Sequence, residues 1–348
     1  MKTIKVGVAL SGGVDSTSTA LLLRDQYTVT GFFMQLAQPG ITEKTAQVAE
    51  LAEKIGIPLQ IINLRERFTQ YVLNYFSTSY FAGLTPNPCI ICNTMIKFGL
   101  FLDTVLDTGM DTMATGHYAR IGCHNHRFRL YKGIDRHKDQ SYFLSRLAQK
   151  QLARILFPLG TMKKKDIYTF AEQHGFSYFR GQESQDVCFL ENTSVSDFLH
   201  KGRPDPASAG YITNQAGDIL GSHDGIANYT IGQRRGLGIS DASPYYVVRL
   251  DAAHNTVVVG KNDELLRTGI EVKDLHWISG TAPLRQDMDI KIRSTHQGCR
   301  GRLTQLDNNR YQIDFAEPQR AVTPGQFAVF YHNDELLGSA EIMQTPVE

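Results

Sequence analysis

The chain reads as an α/β protein in three parts. A parallel-sheet domain covers residues 1–203, a small mostly-β domain 204–269, and a C-terminal β-barrel 270–348. Three observations predict this. Apolar strand-like runs alternate with amphipathic helical runs from Ile4 to Thr115, the pattern of a parallel sheet covered on both faces. Lys201–Ala209 is rich in Pro, Gly and Ser and reads as a linker. From about residue 270 only short strands separated by turns remain, which suits a small barrel.

Each element follows from its residues. Ile4–Leu10 is the first strand and Ser16–Arg24 a helix carrying Leu21, Leu22 and Leu23; Thr28–Met34 is the second strand. Gln38-Pro39-Gly40 breaks the chain, Thr42 is placed to cap a helix through Val48, Leu51 and Ile55, and Gly56 and Pro58 end it. Leu59–Leu64 is a strand, Arg67–Phe81 an aromatic-rich helix, and Thr85–Cys92 a proline-broken loop before a helix through Phe98, Phe101, Leu102 and Val105. Asp111–Thr115 is a strand ending at Gly116-His117. In the barrel, strands are expected at Asp289–Arg293, Gly301–Gln305, Tyr311–Phe315 and Ala328–Tyr331. Ligands of such sheets bind beyond the carboxyl ends of the strands, so the turn after Leu10, Met34 and Gly116-His117 should converge.

The bulk numbers bound the function. A chain of 348 residues exceeds a single core. A net charge of +1 neither announces a nucleic-acid partner nor excludes one, since local patches decide. Five cysteines in this length do not make a secreted disulfide framework. No apolar run approaches the roughly 20 residues of a membrane span, and no secretory leader is visible, so a cytoplasmic protein without a membrane partner is expected.

The most informative segment is Ser11-Gly12-Gly13-Val14-Asp15-Ser16, between the first strand and the first helix. Paired glycines let the backbone approach a ligand, and helix-start amides hold an anion. The run lacks the lysine of a Walker loop. Asp15 would repel phosphate unless it caps the helix or holds Mg²⁺. The run resembles the loop of the PP-loop ATP pyrophosphatases, of the adenine nucleotide alpha hydrolase-like fold, which adenylate a substrate oxygen and release pyrophosphate.

Two further segments carry thiols. Thr85-Pro86-Asn87-Pro88-Cys89-Ile90-Ile91-Cys92-Asn93 has CxxC spacing, open to a redox, half-metal or single-nucleophile reading. Cys92 stands just ahead of an expected helix start, where the dipole favours a thiolate. No second CxxC exists, which weakens a zinc site. Cys188 lies in Gln182–Leu190, where polar residues give way to apolar ones.

SGGVDS, TPNPxxxCN, GHYAR (116–120), KDQSYFL (138–144), ESQDVCF (183–189), YTIGQRRGLGI (229–239), PYYVV (244–248) and FAEPQRAVTPGQ (315–326) occur in order over nearly the whole chain. Together they closely resemble the tRNA-specific 2-thiouridylases (the MnmA/TrmU family), which are tRNA-uridine 2-sulfurtransferases. The resemblance implies ATP with Mg²⁺, a tRNA with a wobble uridine, a sulfur-relay or cysteine desulfurase donor, and a monomer. It implies adenylation of the uridine 2-oxygen and sulfur transfer from a persulfide on Cys188, with Cys92 as the second catalytic cysteine and a Cys92–Cys188 redox disulfide. ATP contacts fall on Ala9, Leu10, Ser11, Gly12, Gly13, Val14, Asp15, Ser16, Met34 and Gly116. Asn87, Pro88 and Cys89 match the cradle of the flipped base. His117, Lys138, Asp139, Gln140, Arg293, Ser294 and Gln326 match tRNA contacts. Arg120, Arg127, Arg129, Lys132, Arg136 and the run Lys163–Lys165 read either as phosphate ligands or as solvated surface, and Cys123 and Cys299 as structural.

Three departures stand out. Cys89 replaces an aspartate common in the family, and Cys89, Cys92 and Cys188 together open an iron–sulfur alternative. Only Gln35–Ile41 stands where the family carries a longer acidic insert with a tryptophan. Ser294 follows Arg293 where an aromatic residue is common. The rival within the same loop class is an amide-forming synthetase, which needs no paired cysteines and no tRNA-binding domains.

Overall fold

The computed structural model describes residues 4–177, 187–190, 193–201, 209–283, 287–307 and 309–343. The segment 183–186 of the ESQDVCF motif and most of the expected 201–209 linker lie outside the described residues.

The first sheet contains β1 (Lys5–Leu10), β2 (Thr28–Gln35), β3 (Leu59–Asn63) and β4 (Thr112–Ala114). A hairpin of β5 (Ala119–His124) and β6 (Arg127–Lys132) follows, then the two-residue β7 (Ile155–Leu156). The sheet order is β3-β2-β1-β4-β7, and every pairing is parallel. Helix α1 (Val14–Arg24) connects β1 to β2, and α2 (Ile41–Ile55) connects β2 to β3. The expected alternation is therefore present.

Three local expectations are corrected. Thr42 is not a cap: the cap is Gly40, two residues earlier and in the left-handed region (φ 62°), α2 starts at Ile41, and Gly56 (φ 78°) ends it. Cys92 does not precede a helix. Asn87 caps a helix that begins at Pro88 and reaches Asp107, because proline at the first helical position loses no needed N–H and Asn87 Oδ1 accepts from Ile90 N at 3.2 Å. An 18-residue stretch of that 20-residue helix has a mean hydropathy of 1.6, so one segment is long and apolar enough for a span, against the expectation of none. Ile90, Ile96, Phe98, Phe101, Leu102 and Val105 are fully buried in the main core, which accounts for the composition. From Cys92 to Phe101 its backbone bonds run i to i−5, a π-helix with a break at Gly99.

The middle sheet contains β8 (Gly210–Thr213), β9 (Ile219–His223), β10 (Tyr246–Asp251) and β11 (Thr256–Gly260) in the order β10-β11-β8-β9. Its core is Ile212, Val247, Leu250, Val257 and Val259.

The barrel uses β12 (Leu266–Trp277), β13 (Asp287–Lys291), β14 (Cys299–Gln305), β15 (Arg310–Arg320), β16 (Phe327–His332) and β17 (Glu335–Ile342). β12 closes the cylinder, since its first part pairs with β15 and its last part with β17. The β5–β6 hairpin belongs to this sheet as well: Leu130 pairs with Leu336, and Tyr131 with Glu335. Buried barrel residues Phe327, Val329, Tyr331 and Leu336 lie in one cluster with Phe76, Phe98 and Tyr142 of the first domain. Tyr142 Oη donates to Phe327 O at 2.9 Å, and Ser339 Oγ to Ser145 O at 3.2 Å. The first domain and the barrel thus share a core.

Candidate functional site

The loop Ser11–Ser16 leaves the carboxyl end of β1 and enters α1. Gly12 takes φ 81°, which a side chain would strain, and Gly13 is the helix cap without a side-chain bond. Ser16 Oγ accepts from Ser11 N (3.1 Å) and donates to Gly13 O (3.0 Å), which fixes the turn. The helix start carries no capping side chain, so its amides point toward the turn as an anion site. Ala9 and Leu10 pair with Phe32 and Phe33, which brings Met34 to the same edge; Met34 is half-buried against the main core. A Cβ on Gly116 would stand 2.8 Å from Asp15 Cβ, so only glycine lets the end of β4 meet the loop. Three separate strand ends converge as expected.

Asp15 takes neither role expected of it. It makes no capping bond. Its two carboxylate oxygens each accept from Lys164 Nζ at 2.8 Å, and Tyr118 Oη donates to Oδ1 at 2.7 Å. Lys164 is 8% exposed. Both oxygens are therefore engaged, and among the described residues no Mg²⁺ site is assembled at Asp15. Of the ambiguous run Lys163–Lys165, the middle lysine is the partner of the loop.

The sequence predicts a loop for the two CxxC thiols and a lowered pKa for Cys92. The structure reverses this. Cys92 is in the second turn of the helix, and burial pushes its thiol up to about 12; Lys97 opposes that, while Cys188 and Cys89 add to it. Lys97, five residues on in the same π-helical stretch, is the charge that acts on Cys92. Cys89 is also pushed up by burial and pulled down by Lys97. Cys188 is exposed, yet near enough to Cys92 for its charge to be felt. The neighbouring Phe189 anchors it. That ring is 4% exposed and packs edge-on to Phe68 (5.9 Å) and Phe76 (5.0 Å) of the helical run 65–81. Sequence reasoning missed this anchor, although the aromatic density of 65–81 was its signal. Phe189 also lines a cavity of about 780 Å³ whose far wall is Leu36, Ala37, Gln38, Pro39 and Ile41, the short connection after β2. Among the described residues no three His, Cys, Asp or Glu side chains group closely enough to hold a metal ion, so Cys89, Cys92 and Cys188 are not assembled as a ligand set.

Asn87 and Pro88 are buried at the mouth of this helix. Gln326 of the barrel rim accepts from Asn87 Nδ2 at 3.3 Å and donates to Thr85 O (3.0 Å) and Pro86 O (3.2 Å). Thr85 N donates to Pro324 O at 2.9 Å. The expected base cradle and one expected tRNA contact thus form a single assembly.

The other residues expected to contact tRNA also have partners within the chain. His117 lies between Phe98 and Phe157, bonds Thr115 Oγ1 at 2.7 Å through Nδ1, and stands 3.5 Å from Lys97 Nζ; burial holds its pKa well below the ordinary value. Asp139 accepts from Gly133 N and Ser141 N, and Gln140 Oε1 accepts from Tyr118 N. Lys138 is half-buried beside them. Arg293 is exposed on the loop after β13 with Ser294 next to it. The basic hairpin is largely spent on the barrel: Arg120 and Arg136 pair with Asp334, Arg129 pairs with Glu335, Arg127 donates to Thr281, and Lys132 donates to Asn333 O. Cys299 packs in the barrel core, whereas Cys123 is exposed on β5.

Sequence comparison agrees with this architecture. The tRNA methyl transferase HUP domain profile matches residues 4–192, the tRNA methyl transferase PRC-barrel domain 196–261, and the aminomethyltransferase beta-barrel domain 267–342. A tRNA-specific 2-thiouridylase MnmA of Desulfotalea psychrophila is 52% identical over 340 residues, spanning 97% of this chain and 98% of its own. Proteins of the same description from Geobacter metallireducens and Methylococcus capsulatus are 42% and 41% identical, over 97% of this chain in both cases and 96% and 95% of theirs. The chain belongs to the tRNA-specific 2-thiouridylase family.

Proposed function

We propose that this protein replaces the 2-oxygen of a tRNA wobble uridine with sulfur in two stages, using ATP at the Ser11–Ser16 loop and the thiols of Cys188 and Cys92. As a family member the chain is a tRNA-thiolating sulfurtransferase, and its HUP domain with the glycine loop is an ATP-binding unit. The staging is our reading. The observation that supports it best is that Cys92 lies within the field of Cys188, on a helix whose Lys97 touches His117, next to the Gly116 that packs on the nucleotide loop. Both chemistries therefore share one edge of the sheet.

In the first stage the uridine 2-oxygen attacks the α-phosphate of ATP, pyrophosphate leaves, and a poor leaving group becomes AMP. In the second, the terminal sulfur of a Cys188 persulfide attacks the activated carbon and AMP departs. Cys92 then attacks the Cys188 Sγ. The bond to the delivered sulfur breaks, its electron pair stays with the thiouridine, and the two thiols are left as a disulfide. An external dithiol resets the pair. The donor is a protein that presents a persulfide, and Cys188, being exposed, is the thiol it reaches. The base cradle is Asn87, Pro88 and Cys89, steadied by Gln326, and extrusion of the base into it is what chemistry at its carbonyl requires. Arg293 is exposed for backbone phosphates.

The test is pyrophosphate release and thiolation on one sample of unmodified tRNA. The Cys188→Ser protein should release pyrophosphate and form no 2-thiouridine. Thiolation by that variant would remove Cys188 from the carrier role.

A further inference from the structure

The glycine loop has no lysine of its own, and the fold brings it two from outside the motif. They are in different situations. The ammonium of Lys164, at the first turn of the helix Lys164–Gln173, is bound to both Asp15 oxygens at 2.8 Å, so the two charges cancel. Lys44 comes from the first turn of α2. Among the described residues it has no carboxylate within ion-pairing distance and no side-chain hydrogen bond. It is nevertheless half-buried rather than extended into water. A Cβ built on Gly12 would stand 3.2 Å from Lys44 Cε, 3.2 Å from Lys44 Nζ and 3.2 Å from Val48 Cγ2, so the lysine is folded over the glycine turn. The cause is the short connection after β2: only residues 36–40 separate Gln35 from α2, and the first turn of α2 is drawn onto the loop.

A half-buried lysine pressed against a glycine turn, with no carboxylate beside it among the described residues, is a ready partner for an anion seated on the amides of α1. We propose that Lys44 is the phosphate ligand of this nucleotide site, contacting the β- or γ-phosphate of ATP, while Lys164 serves to neutralise Asp15. The proposal rests on the ATP reading above and adds the residue that supplies the charge. It also explains how Asp15 is tolerated beside a triphosphate: paired with Lys164 it carries no net charge, and Lys44 leaves the loop one positive charge in excess.

The test is calorimetric affinity for ATP, ADP and AMP on the full chain, with thermal melting as a check on folding. Lys44→Met should weaken ATP by about tenfold or more and AMP by less than about twofold. Lys44→Arg should restore most of the ATP affinity. The double variant Asp15→Asn/Lys164→Met, neutral like the native pair, should keep the Lys44 dependence. An equal loss for ATP and AMP, or no loss, overturns Lys44 as a phosphate ligand. Failure of the ATP reading looks different: the unsubstituted protein would bind neither ATP nor ADP, and the Lys44 proposal would fall with it.

Discussion

Asn87 and Gln326 are 239 residues apart in the chain and share a hydrogen bond of 3.3 Å. Through it, and through the Thr85 and Pro86 carbonyls, one barrel glutamine holds the loop that leads into the Cys89–Cys92 helix. Gly325 beside it would place a Cβ 3.0 Å from Leu84 Cβ, so the barrel turn presses directly on the loop.

Gln326→Ala should therefore act on the catalytic half. Losing these bonds costs about 1 kcal/mol each before relaxation. The expected result is a melting temperature lower by a few degrees and a larger loss in kcat/KM for tRNA, with ATP affinity unchanged. Thiolation kinetics and calorimetry on the same preparation check it. An ATP affinity that falls in parallel would show that the barrel contact supports the whole domain rather than the loop.

Asp15→Ala removes the Asp15 carboxylate from the buried Lys164 ammonium and from the Tyr118 hydroxyl. The cost should be about 2 kcal/mol, between the ~0.5 kcal/mol of an exposed pair and the roughly 3–5 kcal/mol of a fully buried one. Asp15→Ala/Lys164→Met should recover part of that stability in urea unfolding. A double variant no more stable than the single would mean that the pair is uncoupled.

The Cys92 thiol, pushed up to about 12, is almost wholly protonated at neutral pH. Its thiolate fraction rises about tenfold per pH unit until the pH approaches that value. Iodoacetamide alkylation of Cys92, read by peptide mass spectrometry, should climb from pH 7 to 10 without a plateau, while the exposed Cys188 is modified first. Lys97→Met should slow Cys92 further, since Lys97 is the charge that lowers its pKa. A Cys92 plateau below pH 9 would contradict the burial argument.

tRNA affinity should fall steeply with salt, because phosphate contacts release counterions. Arg120, Arg129 and Arg136 are occupied by Asp334 and Glu335, so their substitution should reduce stability and leave the salt slope nearly intact, whereas Arg293→Ala should lower the slope by about one. Filter binding across a salt series distinguishes the two.

Much of the site was legible because it is local. The Ser11–Ser16 turn, the strand before it and the helix after it are specified by adjacent residues, and Gly56 ends α2 as a left-handed cap in plain view. What could not be read depends on distant partners. Pro86 and Pro88 look like loop breakers, yet Pro88 opens the helix because Asn87 can cap it. The basic β5–β6 hairpin looks like a phosphate surface until Asp334 and Glu335 are folded against it. A lowered Cys92 pKa followed from a supposed helix start, and burial among side chains far away in sequence overrode it. The charges around the nucleotide loop, Lys44 and Lys164, stand on two other helices.

The central claim is tested most directly in a single turnover. Protein loaded with a Cys188 persulfide is mixed anaerobically with unmodified tRNA, with and without Mg-ATP, and both the nucleosides and the Cys92 and Cys188 peptides are weighed by mass spectrometry. The account predicts one 2-thiouridine per persulfide only when ATP is present, accompanied by a Cys92–Cys188 disulfide. Thiouridine without ATP, or thiouridine with both cysteines still reduced, would contradict it.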